Sequence, residues 1–180
     1  MKKLTIPEMQ RLSPEDFKQT DKIPLVLILD NIRSLHNIGS IFRSSDAFRV
    51  ERIYLCGLSC TPPHPEIHKT ALGAEYSVSW QYEKEAIDVV NTLKSESYKV
   101  FAIEQAHGSI SLEMHRCVAH QKYALVLGNE VKGVQQSVVD ACDACLEIPQ
   151  FGTKHSLNVS VAGGIVIWHF FNELRSLLQL

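Results

Sequence analysis

An α/β domain, a mostly parallel sheet with helices on both faces, is what this 180-residue sequence predicts. Three observations carry that expectation. The run "PLVLILD", Pro24 to Asp30, is continuously apolar, as a strand buried on both faces should be. Strand-like and helix-like segments then alternate at spacings suited to crossover connections. Three polar or glycine-rich segments follow strand-like runs, and in such sheets ligands gather outside the carboxyl ends of the strands.

In chain order, residues 1–23 read as an N-terminal extension with Pro7, Pro14 and mixed charge, and the domain proper as 24–180. Within the extension, "LSPEDF" predicts a helix start with Ser13 as N-cap and Pro14 at the first helical position. After the first strand, "HNIGSIFRSSDAF" places Ile38, Ile41, Phe42 and Phe48 at helical spacing, and "RIYLCGL" is the second strand. Pro62-Pro63 turns the chain into a short helical stretch ending near Glu75. "SVSWQY" follows as a strand and "EKEAIDVVNTLKSE" as a helix. "YKVFAIEQ", "YALVLGN" and "ACLEIPQ" are three further strands, with "VQQSVVDAC" the helix between the last two.

The end of the chain poses a question. In "GTKHSLNVSVAGGIVIWHF", Ser156, Asn158 and Ser160 alternate with Leu157, Val159 and Val161 like a strand. A buried helix then opens on Gly163-Gly164, although each glycine costs a helix roughly 1 kcal/mol relative to alanine. Either the backbone must pass close to something there, or an ordinary loop precedes a C-terminal helix.

Composition narrows the function classes. The apolar share of 45% and charged share of 21% are those of a globular domain, and no run reaches the length of a membrane span. The five cysteines are an odd set without scaffold spacing, which fits reduced thiols and a cytoplasmic protein. The net charge of -2 does not advertise a polyanion partner. The first 52 residues hold nine Lys and Arg against seven Asp and Glu, a small local excess.

Several segments could carry chemistry. Asn37 can cap the helix that begins near Ile38, and Gly39 can let backbone amides approach an anion. Arg43 either projects toward a ligand or pairs with Asp46 three residues on. In "LVLGNEVKGV", Gly128 and Gly133 flank Glu130 and Lys132; the glycines mark an ordinary turn, or Gly128 leaves room for a flat ligand on the backbone. Neither a phosphate-binding P-loop nor a dinucleotide Gly-x-Gly-x-x-Gly fingerprint is present, which weighs against other nucleotide-binding α/β enzymes. No metal site is expected: His64 and His68 lack a third ligand, and Cys142 and Cys145 form a single C-x-x-C, better read as small core residues at a turn.

Taken together, "NIRSLHNIGSIFRSSDAF", "LVLGNEVKGV" and "IPQFGTKHSLNVSVAGG" resemble the three motifs of the SpoU, or TrmH-type, branch of the SPOUT methyltransferases, in the same order and spacing. With their connecting elements the resemblance covers residues 24–175. It implies a 2'-O-methyltransferase that moves a methyl group from S-adenosylmethionine to an RNA ribose, with tRNA expected ahead of rRNA. It also implies a C-terminal trefoil knot and an obligate homodimer. Asn37 and Arg43 match the first motif's functional pair, Glu130 the second motif's acid, and Ser156 and Asn158 the third motif's polar pair. Cofactor contacts, largely backbone in the family, fall on Gly128, Ile148 and Leu157, with adjacent Ser156 and the strand end Ile103-Glu104. Val131, Arg49 and Gln150 depart from the family pattern without removing a matched functional residue. A different class competes: a non-catalytic RNA-binding or ribosome-assembly protein that kept the fold.

Overall fold

The computed structural model describes residues 1–5 and 7–178, with side chains through Arg175. Seven strands form a single sheet: β1 (Ile23–Asp30), β2 (Val50–Cys56), β3 (Trp80–Glu83), β4 (Tyr98–Ile103), β5 (Ile110–Ser111), β6 (Lys122–Leu127) and β7 (Ala144–Glu147). Their spatial order is β3-β2-β1-β6-β4-β7-β5, and every strand pairing is parallel. The mostly parallel sheet expected from the sequence is therefore what forms. β5, only two residues long, was beyond the reach of periodicity.

The apolar run of β1 divides between two cores, because successive side chains leave a strand on opposite faces. Leu25, Leu27 and Leu29 join one cluster, with Ile38, Ile41 and Phe42 of α2 (Leu35–Ala47), Ile67 of α3 (Pro65–Ala71), and Val166 and Phe170 of α7 (Val159–Leu178). Val26 and Ile28 join the other, with Val89, Val90 and Leu93 of α5 (Ala86–Ser95) and Val138 of α6 (Gln136–Ala141). Helices thus cover both faces, which is why the central strands carry no polar alternation.

The helix-start signals behave as their chemistry dictates. Ser13 Oγ accepts from Asp16 N at 3.1 Å, and Pro14 opens α1 (Pro14–Gln19). Phe17 of α1 is buried in the first core. The cap of α2 differs from expectation. Ser34, not Asn37, is the N-cap, its Oγ accepting from Asn37 N at 3.3 Å. The serine comes first in the chain and takes the cap, leaving Asn37 free inside the first turn. The helical stretch after Pro62-Pro63 splits into α3 and α4 (Ala74–Ser77) at Leu72, whose φ of 53° is left-handed.

Two glycine readings change. A Cβ on Gly39 would lie 2.3 Å from Ile67 O and 2.2 Å from Thr70 Oγ1, so this glycine is what lets α2 and α3 touch. At the start of α7, a Cβ on Gly163 would meet Leu127 Cδ1 at 3.2 Å and Ile41 Cγ1 at 3.4 Å, whereas Gly164 has only Ser44 Oγ at 3.9 Å. The close approach is real, but it is to side chains of the same chain and concerns Gly163. Among the described residues no helix is long and apolar enough to cross a membrane.

Candidate active site

Three loops meet at the carboxyl ends of β1, β6 and β7, with β4 between the last two. The turn after β6 closes on itself: Asn129 N donates to Gly133 O at 3.0 Å and Gly133 N to Asn129 O at 2.8 Å. Asn129 Oδ1 accepts from the amides of Val131 and Lys132, and its Nδ2 donates to Asn31 O at 2.8 Å, tying this turn to the end of β1. A Cβ on Gly128 would sit 2.1 Å from Val134 N and 2.2 Å from Gly133 C. The glycine is therefore required by the chain's own fold-back, and it also lines the cavity described below. Gly133 has φ +68°, and a side chain there would strike Glu104 Oε2.

That turn presents Glu130 to the start of α2. Glu130 Oε2 accepts from Arg33 N at 3.1 Å, and Oε1 accepts from Ser34 N at 2.9 Å and from Asn37 Nδ2 at 3.0 Å. Asn37 Oδ1 accepts in turn from Asn158 Nδ2 at 3.1 Å. Asn158 Oδ1 accepts from the amides of Ser160 and Val161, which makes Asn158 the cap of α7. The strand-like alternation around it is thus a loop followed by a capped helix, with Asn158 and Ser160 serving the cap. Partial burial pushes the Glu130 carboxyl up. The amides of Arg33 and Ser34, with the Asn37 side chain, outweigh that and hold it below the usual carboxylate range.

Beside this network lies a cavity of about 1110 Å³. Ile103 and Glu104 of β4, Gly128 and Glu130 after β6, and Ile148, Ser156 and Leu157 after β7 all line it. Six of these were expected to hold a cofactor, and the fold brings all six to the lining of this one cavity. The carboxylates of Glu104, Glu130, Asp140 and Glu147 line it against the single ammonium of Lys132. An acidic lining of this kind suits a cationic ligand and repels a polyphosphate.

Arg43 stands apart. It is exposed on α2 and lines a separate groove with Ser40, Ser44 and Lys69. It does not pair with Asp46, whose Oδ1 accepts from Ser77 Oγ at 2.6 Å. Other residues escaped the sequence reading. Buried Asp30 accepts from Gln135 N at 3.1 Å and Gln135 Nε2 at 2.9 Å, joining β1 to the end of the second loop. Glu104 Oε2 accepts from Val134 N at 3.1 Å. Gln105 Nε2 donates to His155 O at 2.7 Å and straps the third loop over the cavity. Asp30, an acid ending an apolar strand, was the one visible signal among these. Among the described residues no cluster of three or more His, Cys, Asp or Glu could hold a metal ion. His64 Nδ1 accepts from Glu66 N, and His68 pairs with buried Glu75.

Residues 24–168 match the family described as SpoU rRNA Methylase. The chain is 31% identical over 149 residues to the 23S rRNA (guanosine-2'-O-)-methyltransferase RlmB of Neisseria meningitidis, covering 80% of this chain and 56% of that one. It is 27% identical over 150 residues to the mouse tRNA (guanosine(18)-2'-O)-methyltransferase TARBP1, covering 83% of this chain and 9% of that one. It thus spans less than two thirds of the length of these curated relatives. The AdoMet-bound rRNA methyltransferase of Sinorhizobium meliloti superposes with a TM-score of 0.79 at 25% identity, covering 92% of this chain and 62% of that one.

Proposed function

Because the chain belongs to the SpoU rRNA Methylase family, we propose that it transfers a methyl group from S-adenosylmethionine to a ribose 2'-hydroxyl of RNA, with tRNA the acceptor ahead of rRNA. The observation that carries this reading is the hydrogen-bonded line Glu130–Asn37–Asn158, which draws all three motifs to the rim of one cavity. Its relatives are named for 2'-O-methylation of guanosine in rRNA and in tRNA. A purely RNA-binding protein of this fold has no need of an acidic cavity walled by strand ends.

The cavity residues fit the cofactor: the volume accepts a nucleoside-sized ligand, and the four carboxylates offset a sulfonium and an ammonium. When bound, S-adenosylmethionine supplies an electrophilic methyl group. The chain's part is to position and to stabilise. The backbone near Gly128, Ile148, Ser156 and Leu157 walls the pocket, together with Ile103 and Glu104 at the end of β4. Ser156 is exposed and lines the cavity two residues before Asn158, and its hydroxyl is assigned to the acceptor in this reading.

Arg43 has the acceptor role. A guanidinium keeps its proton, so Arg43 is not a general base; it clamps an RNA phosphate and offsets alkoxide charge as the hydroxyl proton leaves to phosphate or water. His36 and His155 are the alternative proton acceptors.

Arg43 lies outside the lining of the large cavity, so in this reading a second copy of the chain brings its own Arg43 to that cavity. The proposed homodimer is supported by α7, whose Val161, Ile165 and Trp168 form an exposed apolar stripe at helical spacing, Trp168 being 50% exposed. The C-terminal trefoil knot and a reducing cytoplasmic setting for the five free thiols belong to the same reading.

Transfer of labelled methyl from S-adenosylmethionine to unfractionated tRNA and rRNA, followed by nucleoside mapping, tests the proposal. A 2'-O-methylated nucleoside in tRNA is the expected product, and one in rRNA alone would reverse the order of acceptors. Absence of both cofactor binding and transfer would replace the enzyme with the binding protein.

A further inference from the structure

The groove that holds Arg43 contains more than the family motif requires. It encloses about 460 Å³ between α2 and α3 and is lined by Ser40, Arg43, Ser44, Lys69 and Thr70, with Phe48 at one end. Two cations and three hydroxyls line it, and no carboxylate does. Its geometry is fixed by packing: α3 sits against Gly39, and Thr70 Oγ1 donates to His36 O at 3.0 Å, which sets Lys69 beside Ser40 and Arg43. Lys69 Nζ also pairs with Glu66 Oε1 at 2.5 Å, while His36 Nε2 meets Glu66 Oε2 at 3.0 Å. Glu66 thereby tethers the Lys69 ammonium. An ammonium has three donors, so two remain after Glu66 takes one.

We propose that this groove holds a backbone phosphodiester of the acceptor RNA, with Lys69 as a second cationic ligand beside Arg43. The proposal rests on the RNA-methylating reading given above. Its chemistry is that of a phosphate track: a planar fork and a point charge supply ionic donors, and the Ser44 hydroxyl supplies a neutral one, while Ser40 Oγ donates to His36 O at 2.8 Å. Phe48, whose ring packs at 5.3 Å from Trp168 and 5.1 Å from Phe171, gives the groove an apolar end against which a ribose can rest. Lys69 is a positioning residue here. It holds the phosphodiester beside Arg43 and touches no reacting atom.

The test measures binding of unfractionated tRNA and rRNA across a salt series, methyl transfer, and S-adenosylmethionine affinity. The variants are Lys69→Ala, Lys69→Arg and Lys84→Ala, the last an exposed lysine leading into α5 across the sheet. Lys69→Ala is expected to weaken RNA binding about tenfold, as loss of one charge-assisted contact does. It should also lower the salt slope by about 1. KM for RNA rises, while kcat and cofactor affinity stay at wild-type values. Lys69→Arg restores most binding, and Lys84→Ala changes neither slope nor affinity. A Lys69→Ala protein with wild-type RNA affinity and slope overturns the inference while the wild-type enzyme still transfers methyl. So does a variant that loses cofactor and RNA affinity together, since that is the mark of a disturbed fold. A wild-type chain that binds S-adenosylmethionine but neither binds nor methylates RNA overturns the functional reading and this inference with it.

Discussion

Asn158 donates to Asn37 across 121 residues of sequence, at 3.1 Å, while Asn37 donates to Glu130 at 3.0 Å. One buried side-chain amide therefore couples the start of α2, the turn after β6 and the cap of α7. No other residue type of this size offers a donor at one end and an acceptor at the other.

Asn37→Ala should lower stability by about 1–2 kcal/mol, the range for a lost buried hydrogen-bond partner. Methyl transfer should fall further, on the order of a hundredfold, because the rim loses its register. Asn37→Asp is the sharper variant. It sets a second carboxylate against Glu130, and two carboxylates at that distance cannot both ionise. Urea melts and single-turnover transfer on both variants check this; wild-type turnover in Asn37→Ala would falsify the role of the network.

Glu130 gives a pH signature with a defined sign. Its carboxyl is held below its unfolded value, so the stability it contributes is present above that unfolded value and is lost as pH falls through the folded one. Glu130→Gln should flatten that acid limb below about pH 4.5. Its side chain is exposed, so solvent screening keeps the difference to about 1 kcal/mol or less. Denaturant midpoints of both proteins between pH 3 and 6, on the order of one measurement per half unit, give the comparison. Parallel curves would place the stabilisation elsewhere.

How much of this was legible beforehand depends on the range of the signal. The strands of the sheet centre were readable because burial on two faces leaves a continuous apolar run, as in Leu25 to Leu29. Ser13 as a cap was readable because cap and proline are neighbours. Asn37 was misplaced as a cap because Ser34 competes for the same role three residues earlier, and spacing alone does not rank them. Its true partners, Glu130 and Asn158, lie in other loops, where a single chain carries no local trace of contact. Likewise, Gly39 and Gly128 were recognisable as special, but what crowds them is Thr70 and Val134, supplied by tertiary structure.

A second pH effect involves two histidines outside the cavity lining. His115 Nδ1 and His169 Nε2 are buried without hydrogen-bond partners, with ring centroids 5.8 Å apart. Burial lowers both imidazole pKa values; Arg116 lowers both further, His169 adds to the effect on His115, and Glu173 opposes it in each. Folded values below the unfolded one mean that stability is full above about pH 6.5 and declines as pH falls from there. His115→Phe, packed against Phe101, Tyr123 and Phe170, should remove much of the decline. Urea midpoints at about pH 7.5 and 5.5 decide it. An equal drop in wild type and variant would clear His115 of responsibility.

Gly128→Ala should be the most damaging single methyl addition in the site. The new Cβ would press on the backbone of Gly133 and Val134, which has no rotamer by which to yield. Relaxation would open the turn that aims Glu130, so a loss of about 3 kcal/mol or more is expected, with cofactor affinity falling alongside. A thermal melt and a cofactor titration separate this from a merely tight contact: a variant within about 0.5 kcal/mol of wild type would mean the turn adapts.

The glycine pair of α7 should divide in its behaviour. Gly163→Leu would force a side chain into Leu127 and Ile41 and destabilise by about 1–3 kcal/mol, the usual result of overpacking. Gly164→Ala meets only Ser44 Oγ at 3.9 Å and gains helix propensity. It should stabilise by up to about 1 kcal/mol, or roughly 2–4 °C in Tm. Calorimetry tests the stability and sedimentation the proposed dimer. If Gly164→Ala folds and melts higher but sediments as a monomer, Gly164 is kept for the partner chain; if it also dimerises and methylates normally, only Gly163 has a structural reason to be glycine.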